Sequence, residues 1–189
     1  EDDFLKLGGV GEAGIYRSAL DTAKARISWL AVNLVTAFVA SGVIALFEAT
    51  IEQIVALAVL MPIVASMGGN AGTQTLTVAV RALATRELSE ANAVRVVGKE
   101  MLVGVLNGVV FAVLVGLTAG LWFDPHIGAV IAAAMVVNLF VAGLCGVLIP
   151  LGLDRLGVDP AVASSVFLTT VTDVVGFFAF LGLAAIVLL

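Results

Sequence analysis

PAVASSVFLTTVTDVVGFFAFLGLAAIVLL, residues Pro160 to Leu189, runs for 30 residues with a single charged side chain, Asp173. About 20 apolar residues suffice to carry a helix across a bilayer. This segment is therefore long enough to span, and its one carboxylate stands inside it. Asp173 is 13 residues past Pro160, about 20 Å along a helix at 1.5 Å per residue and near the bilayer midplane. Four further stretches carry no charge: Ile27–Phe47, Gln53–Val80, Met101–Phe123 and Ile127–Leu153, of 21, 28, 23 and 27 residues. The 189-residue chain is 61% hydrophobic and 12% charged, with a mean hydropathy of +1.18. Soluble domains carry about 25% charged residues, so a soluble enzyme, a nucleic-acid binder and a disordered segment are excluded. The reading is an all-α membrane protein with five transmembrane helices.

The basic residues set the expected topology. Lysine and arginine concentrate on the cytoplasmic side of short loops. The N-terminal segment holds Lys6, Arg17, Lys24 and Arg26, the segment Arg81–Glu100 holds Arg81, Arg86, Arg95 and Lys99, and the last loop, Asp154–Asp159, holds Arg155. The loops Glu48–Glu52 and Asp124–His126 hold none. All nine basic residues fall on one side if the N-terminus is cytoplasmic and the C-terminus outside. Trp29 and Trp122, near opposite boundaries, suit the interfacial aromatic belts. The chain begins at Glu1 without a methionine, which suggests a fragment of a longer protein. Ile15–Arg26 reads as a helix leading into the first span, and Arg81–Glu100 as an amphipathic helix on the inner membrane surface. Cys145, the single cysteine, reads as a small packing residue.

Two polar faces stand out within the apolar spans. Around Asp173, the residues Thr169, Thr170 and Ser165 lie one and two turns earlier and Gly176 one turn later, on one side of a helix. In the second span, Ser66, Gly69, Asn70, Thr73 and Thr77 recur at three- and four-residue steps. Pro62 removes a backbone hydrogen bond there, and Gly68, Gly69 and Gly72 follow it; the expected form is a broken, loosened helix. Such polar backbone is tolerated at membrane depth where it is buried in protein or lines water. The two faces suggest one shared pathway.

Carboxylate and neutral oxygens are hard ligands, suited to Mg²⁺ or Ca²⁺. The spans hold no histidine, and His126 reads as an exposed loop residue. One aspartate per chain is meagre for a divalent ion. A symmetric dimer brings two together, and these need a cation between them or a shared proton. An intramembrane aspartyl protease needs two membrane aspartates per chain, and a serine protease needs a serine–histidine pair in the membrane; the chain has neither, and it reads as no enzyme. A cation-coupled exchanger using Asp173 as its coupling site is the alternative to a channel. Asp173 is the only charged residue in the five long stretches, so none is left to relay a proton to it.

Gly68-Gly-Asn-Ala-Gly-Thr-Gln74 followed by Arg81-Ala-Leu-Ala-Thr85, and Gly157-Val-Asp-Pro-Ala161 followed by Thr169-Thr-Val-Thr-Asp-Val-Val-Gly176, resemble the MgtE family of magnesium channels. The resemblance covers residues 27–189, a five-helix pore domain, with 1–26 as the end of a cytoplasmic linker helix. It implies a homodimer in a bacterial inner (plasma) membrane whose second and fifth spans line a Mg²⁺ pore on the two-fold axis. Asp173 matches the aspartate that holds hydrated Mg²⁺. Gly69, Asn70, Thr73, Ser165 and Thr169 match or neighbour pore-lining positions, and Thr77, Thr170 and Gly176 join them from the two polar faces. The resemblance further implies cytoplasmic Mg²⁺-sensing domains of the same chain that precede this sequence and are absent from it. The family pattern departs at Ser165–Val166, where some relatives carry asparagine or glycine followed by proline.

Overall fold

The computed structural model describes residues 18–189. Among these residues all regular structure is helical: α1 (Ala19–Ala45), α2 (Glu48–Gln53), α3 (Ala56–Ala84), α4 (Glu90–Trp122), α5 (Pro125–Arg155) and α6 (Pro160–Val187). All but the six-residue α2 are long and apolar enough to cross a membrane, so the five expected spans are present. The helix ends follow from local chemistry. Ser18 caps α1 by accepting the Asp21 N–H, and Asp124 and Asp159 cap α5 and α6. In both of the latter, proline takes the first helical position, where a missing N–H costs nothing. Gly157 turns the chain between α5 and α6 at φ +71°, a left-handed conformation that a side chain would strain.

Three expectations change. The first loop contains a helical turn, α2, with Thr50 buried. The surface helix expected over Arg81–Glu100 does not exist as a separate element. Arg81 belongs to the last turn of α3, the turn between the helices covers only residues 85–89, and Glu90 onward is the start of α4. A reciprocal cap between Ser89 and Asn92 starts that helix, and no proline interrupts it. At 33 residues, α4 is about 50 Å long, some 20 Å more than the hydrocarbon core. The second span is also unbroken. Pro62 lies inside α3, which stays helical from Ala56 to Ala84, because only one hydrogen bond is lost near its start. At the N-terminus, the expected lead-in helix is continuous with α1 from Ala19 onward, and residues 1–17 lie outside the described ones.

α5 is the central helix: 56% of its span is buried, against 6–33% for the others. It packs on α3, α4 and α6, while α1 lies against α6. Small residues make the α4–α5 contact close. A Cβ added at Gly104 would stand 2.6 Å from the Leu139 carbonyl, and one at Gly108 3.0 Å from the Val136 Cα. The glycine pair of the third span therefore serves packing within the chain, as van der Waals contact between membrane helices requires. Cys145 is half-buried beside Leu76, Val80 and Leu168, as a packing residue should be.

Candidate functional site

The site is built on α3 and α6, which run antiparallel in contact. A Cβ at Gly72 would meet the Leu168 side chain, and one at Gly176 would meet Val64 at 3.1 Å. These two pairings share one register, which sets Asp173 level with Met67, between Ser66 and Asn70. Asp173 itself stands halfway along the 28-residue α6. It is half-buried and, among the described residues, has no hydrogen-bond or ionic partner.

On α3 the polar stripe points away from the bundle. Ser66, Asn70, Thr73 and Thr77 are exposed, and a Cβ at Gly69 would meet nothing within 4 Å. The opposite face of the same helix is closed: Leu57, Leu60, Val64, Gly68, Gly72, Thr75 and Leu76 are buried. On α6, Ser165, Thr169 and Thr170 are half-buried alongside Asp173. Gly69, Asn70, Thr73 and Thr77 thus lie on the outward side of α3, while Ser165, Thr169 and Thr170 stay half-buried on α6. Gly176 departs from the expected face. It is buried against Asn138, whose amide would stand 2.8 Å from an added Cβ, so within one chain it is a packing position.

The hydroxyls have a common orientation. Thr73 donates to the Gly69 carbonyl at 2.8 Å, Thr77 to that of Thr73 at 2.8 Å, Thr169 to that of Ser165 at 3.0 Å and Thr170 to that of Val166 at 2.6 Å. Asn70 donates to the Ser66 hydroxyl at 3.3 Å. Each threonine proton is committed to its own helix, and the oxygen lone pairs that remain are acceptors. With the Asp173 carboxylate they form an acceptor surface, suited to a partner that presents hydrogens. The waters of a hydrated cation do so. Among the described residues no three His, Cys, Asp or Glu side chains cluster as a metal cage; a single carboxylate amid neutral oxygens fits an ion that keeps its water.

Asn138 was not legible in the sequence as a site residue. Its side chain is fully buried in α5 and donates to the Val64 carbonyl of α3 at 2.8 Å. Gly68 of α3 and Gly176 of α6 both face this amide, which therefore meets both helices of the site. Among the described residues, its Oδ1 has no partner and the buried Ser164 hydroxyl on α6 has none either. Asparagine amid Val136, Val137 and Leu139 gives no sequence signal that separates a buried clamp from a neutral polar residue.

Comparison with known proteins gives the same family signal by two routes. The MgtE family model, described as a divalent cation transporter, matches residues 61–183. The chain is similar to three proteins named magnesium transporter MgtE. Identity is 37% over 192 residues to that of Thermus thermophilus, covering 99% of this chain and 42% of the relative. It is 34% over 184 residues to that of Enterococcus faecalis, covering 97% and 41%. It is 32% over 186 residues to that of Bacillus subtilis, also covering 97% and 41%. The chain thus spans about two fifths of the length of these relatives.

Proposed function

Because the chain belongs to the MgtE family of divalent cation transporters, we propose that it conducts Mg²⁺ across a bacterial plasma membrane, as a multi-pass homodimer whose passage lies between the α3 and α6 helices of two copies. The observation that carries this reading is the exposed polar stripe of α3 at the level of the unpartnered Asp173. Polar groups at membrane depth need protein or water against them. A second copy related by a two-fold axis supplies both, with a wet passage on the axis. Two Asp173 carboxylates then face one another, and a divalent cation between them offsets their repulsion.

Mg²⁺ dehydrates reluctantly and keeps several waters. The acceptor oxygens of Asn70, Thr73, Ser165, Thr169 and Asp173 support binding through that water shell. Gly69 leaves open space on the same side, and Thr77 and Thr170 extend the lining. Mg²⁺ is the cargo here, and transport, the activity in the relatives' names, is the function we assign. Residues 27–189 form the pore domain and 1–26 the end of a cytoplasmic linker helix joined to Mg²⁺-sensing domains outside this sequence. The N-terminus is cytoplasmic and the C-terminus outside, which sets the basic residues on the inner face.

A divalent ion entering at 100 mV, inside negative, gains about 4.6 kcal/mol, so uptake needs no coupling ion. The test is Mg²⁺ flux into liposomes under an imposed voltage. Flux that follows voltage, ignores Na⁺ and proton gradients and falls at least tenfold in Asp173→Asn supports the channel. Flux unaltered by Asp173→Asn overturns the site, and a strict Na⁺ or proton requirement points to the exchanger instead.

A further inference from the structure

Glu100, directly before the uncharged stretch of α4, takes no part in the proposed passage. It is the eleventh residue of α4, and its side chain is only 14% exposed. One carboxylate oxygen accepts the Thr75 hydroxyl of α3 at 3.2 Å. The other has the Lys99 ammonium at 3.8 Å, on a side chain that is 73% exposed. A pair so long and so open to solvent neutralises little. A carboxylate so far withdrawn from solvent is costly and calls for a partner.

The carboxylate borders a recess of about 150 Å³ between α3 and α4. Gln74 and Thr75 form one wall, Glu100 and Asn107 the other, and Leu139 and Gly143 of α5 the floor. Glu100 and Asn107 are two turns apart on one side of α4. The amides of Gln74 and Asn107 are exposed at the rim and, among the described residues, have no hydrogen-bond partner. Unpaired amides on a membrane helix are as anomalous as the carboxylate. Thr75 lies about 200° around α3 from Thr73 at 100° per residue, with Gln74 between them, so the recess opens on the flank of the helix next to the polar stripe.

We propose that the recess is a second cation site, separate from Asp173, in which Glu100, Gln74, Thr75 and Asn107 hold a partly hydrated divalent cation of the Mg²⁺ class. The side-chain donors are all oxygens once the amides turn their carbonyls inward, with no sulfur or imidazole, which selects hard cations. One carboxylate suffices for Mg²⁺ because several of its ligands stay water. A recess of about 150 Å³ admits several waters, each needing about 10–15 Å³. α3 and α4 have few direct contacts, so an ion ligated from both joins them. Occupancy of the recess thereby fixes the flank of the same helix that carries the polar stripe.

The test removes Asp173 from the measurement. The Asp173→Asn chain in nanodiscs is titrated with Mn²⁺ and followed by electron paramagnetic resonance, with Mg²⁺ as competitor. The site predicts Mn²⁺ binding that Mg²⁺ displaces and that Glu100→Gln weakens at least tenfold. Asn107→Leu, an exposed rim change that keeps the carboxylate, should weaken it severalfold and carries the test should Glu100→Gln fail to fold. Mn²⁺ binding unaltered by both substitutions overturns the site. Glu100-dependent binding that Na⁺ or K⁺ displaces as well as Mg²⁺ overturns its assignment to divalent ions.

Discussion

Gly68, Asn138 and Gly176 meet at one point, and the three residues explain one another. The Asn138 amide ties α5 to the Val64 carbonyl of α3, and a methyl group on either glycine would overlap it. Gly68→Ala should lower stability by about 1–3 kcal/mol, the usual cost of overpacking. The double variant Gly68→Ala/Asn138→Ala should be less destabilised than the two single effects summed, by a coupling of about 0.5–3 kcal/mol. Thermal unfolding in detergent checks this, and strictly additive losses would show that the amide does not require the glycine. Gly69, one position along, has open space beside it and should accept alanine with little change in unfolding midpoint. Asp173 and the stripe from Ser66 to Thr77 were legible in the sequence because a carboxylate and repeated small polar residues are unusual in apolar spans. Asn138 was not, because its environment arises only when three helices pack. Gly176 shows the same limit: helical spacing gives a face, and only packing says what that face meets within the chain.

α4 is the element whose length the charge pattern understated. Charges between Glu87 and Glu100 read as a loop bearing a surface helix, yet nothing there stops a helix once Ser89 and Asn92 have capped it. That continuity sets Glu100 beside Thr75 of α3, whereas the charge pattern placed it at the edge of a surface loop. α3 is likewise more continuous than its proline suggests, since a proline near a helix start interrupts one bond and not the helix. At the far end of the molecule, Asp124 begins α5 by accepting the His126 N–H at 2.8 Å. This bond, with the His126 ring at 2.9 Å, holds the carboxyl below its ordinary value of 3.8. A carboxyl lowered on folding contributes stability above 3.8 that is lost as pH falls through its lower folded value. Amide hydrogen exchange over residues 126–128 should therefore, after correction for intrinsic rates, lose protection as pH falls below 3.8. Asp124→Ala should show the unprotected rate at every pH; equal protection at pH 3 and pH 6 would contradict the cap.

At the scale of the whole molecule, the five long helices alternate in direction and gather the charges at two unlike ends. The described basic residues stand at the end where α1, α4 and α6 begin, whereas Glu48, Glu52 and Asp124 mark the other. The proposed orientation predicts that a cysteine at Glu87, in a Cys145→Ser background, is labelled only from the cytoplasmic side, and one at Asp124 only from outside. Labelling with the sides exchanged would reverse the topology. Among the described residues, the outward side of α3 is polar and Asp173 has no partner; the proposed second copy, with an ion between the two, would account for both. The most direct measurement is anomalous scattering from Mn²⁺ in crystals of the protein. One peak on a two-fold axis is predicted, between two Asp173 carboxylates and beyond the direct-bond distance of about 2.0–2.1 Å typical of Mg²⁺, as a water-mediated ion requires. Asp173 found without a facing copy, or facing one across an axis that binds no cation, would contradict the account.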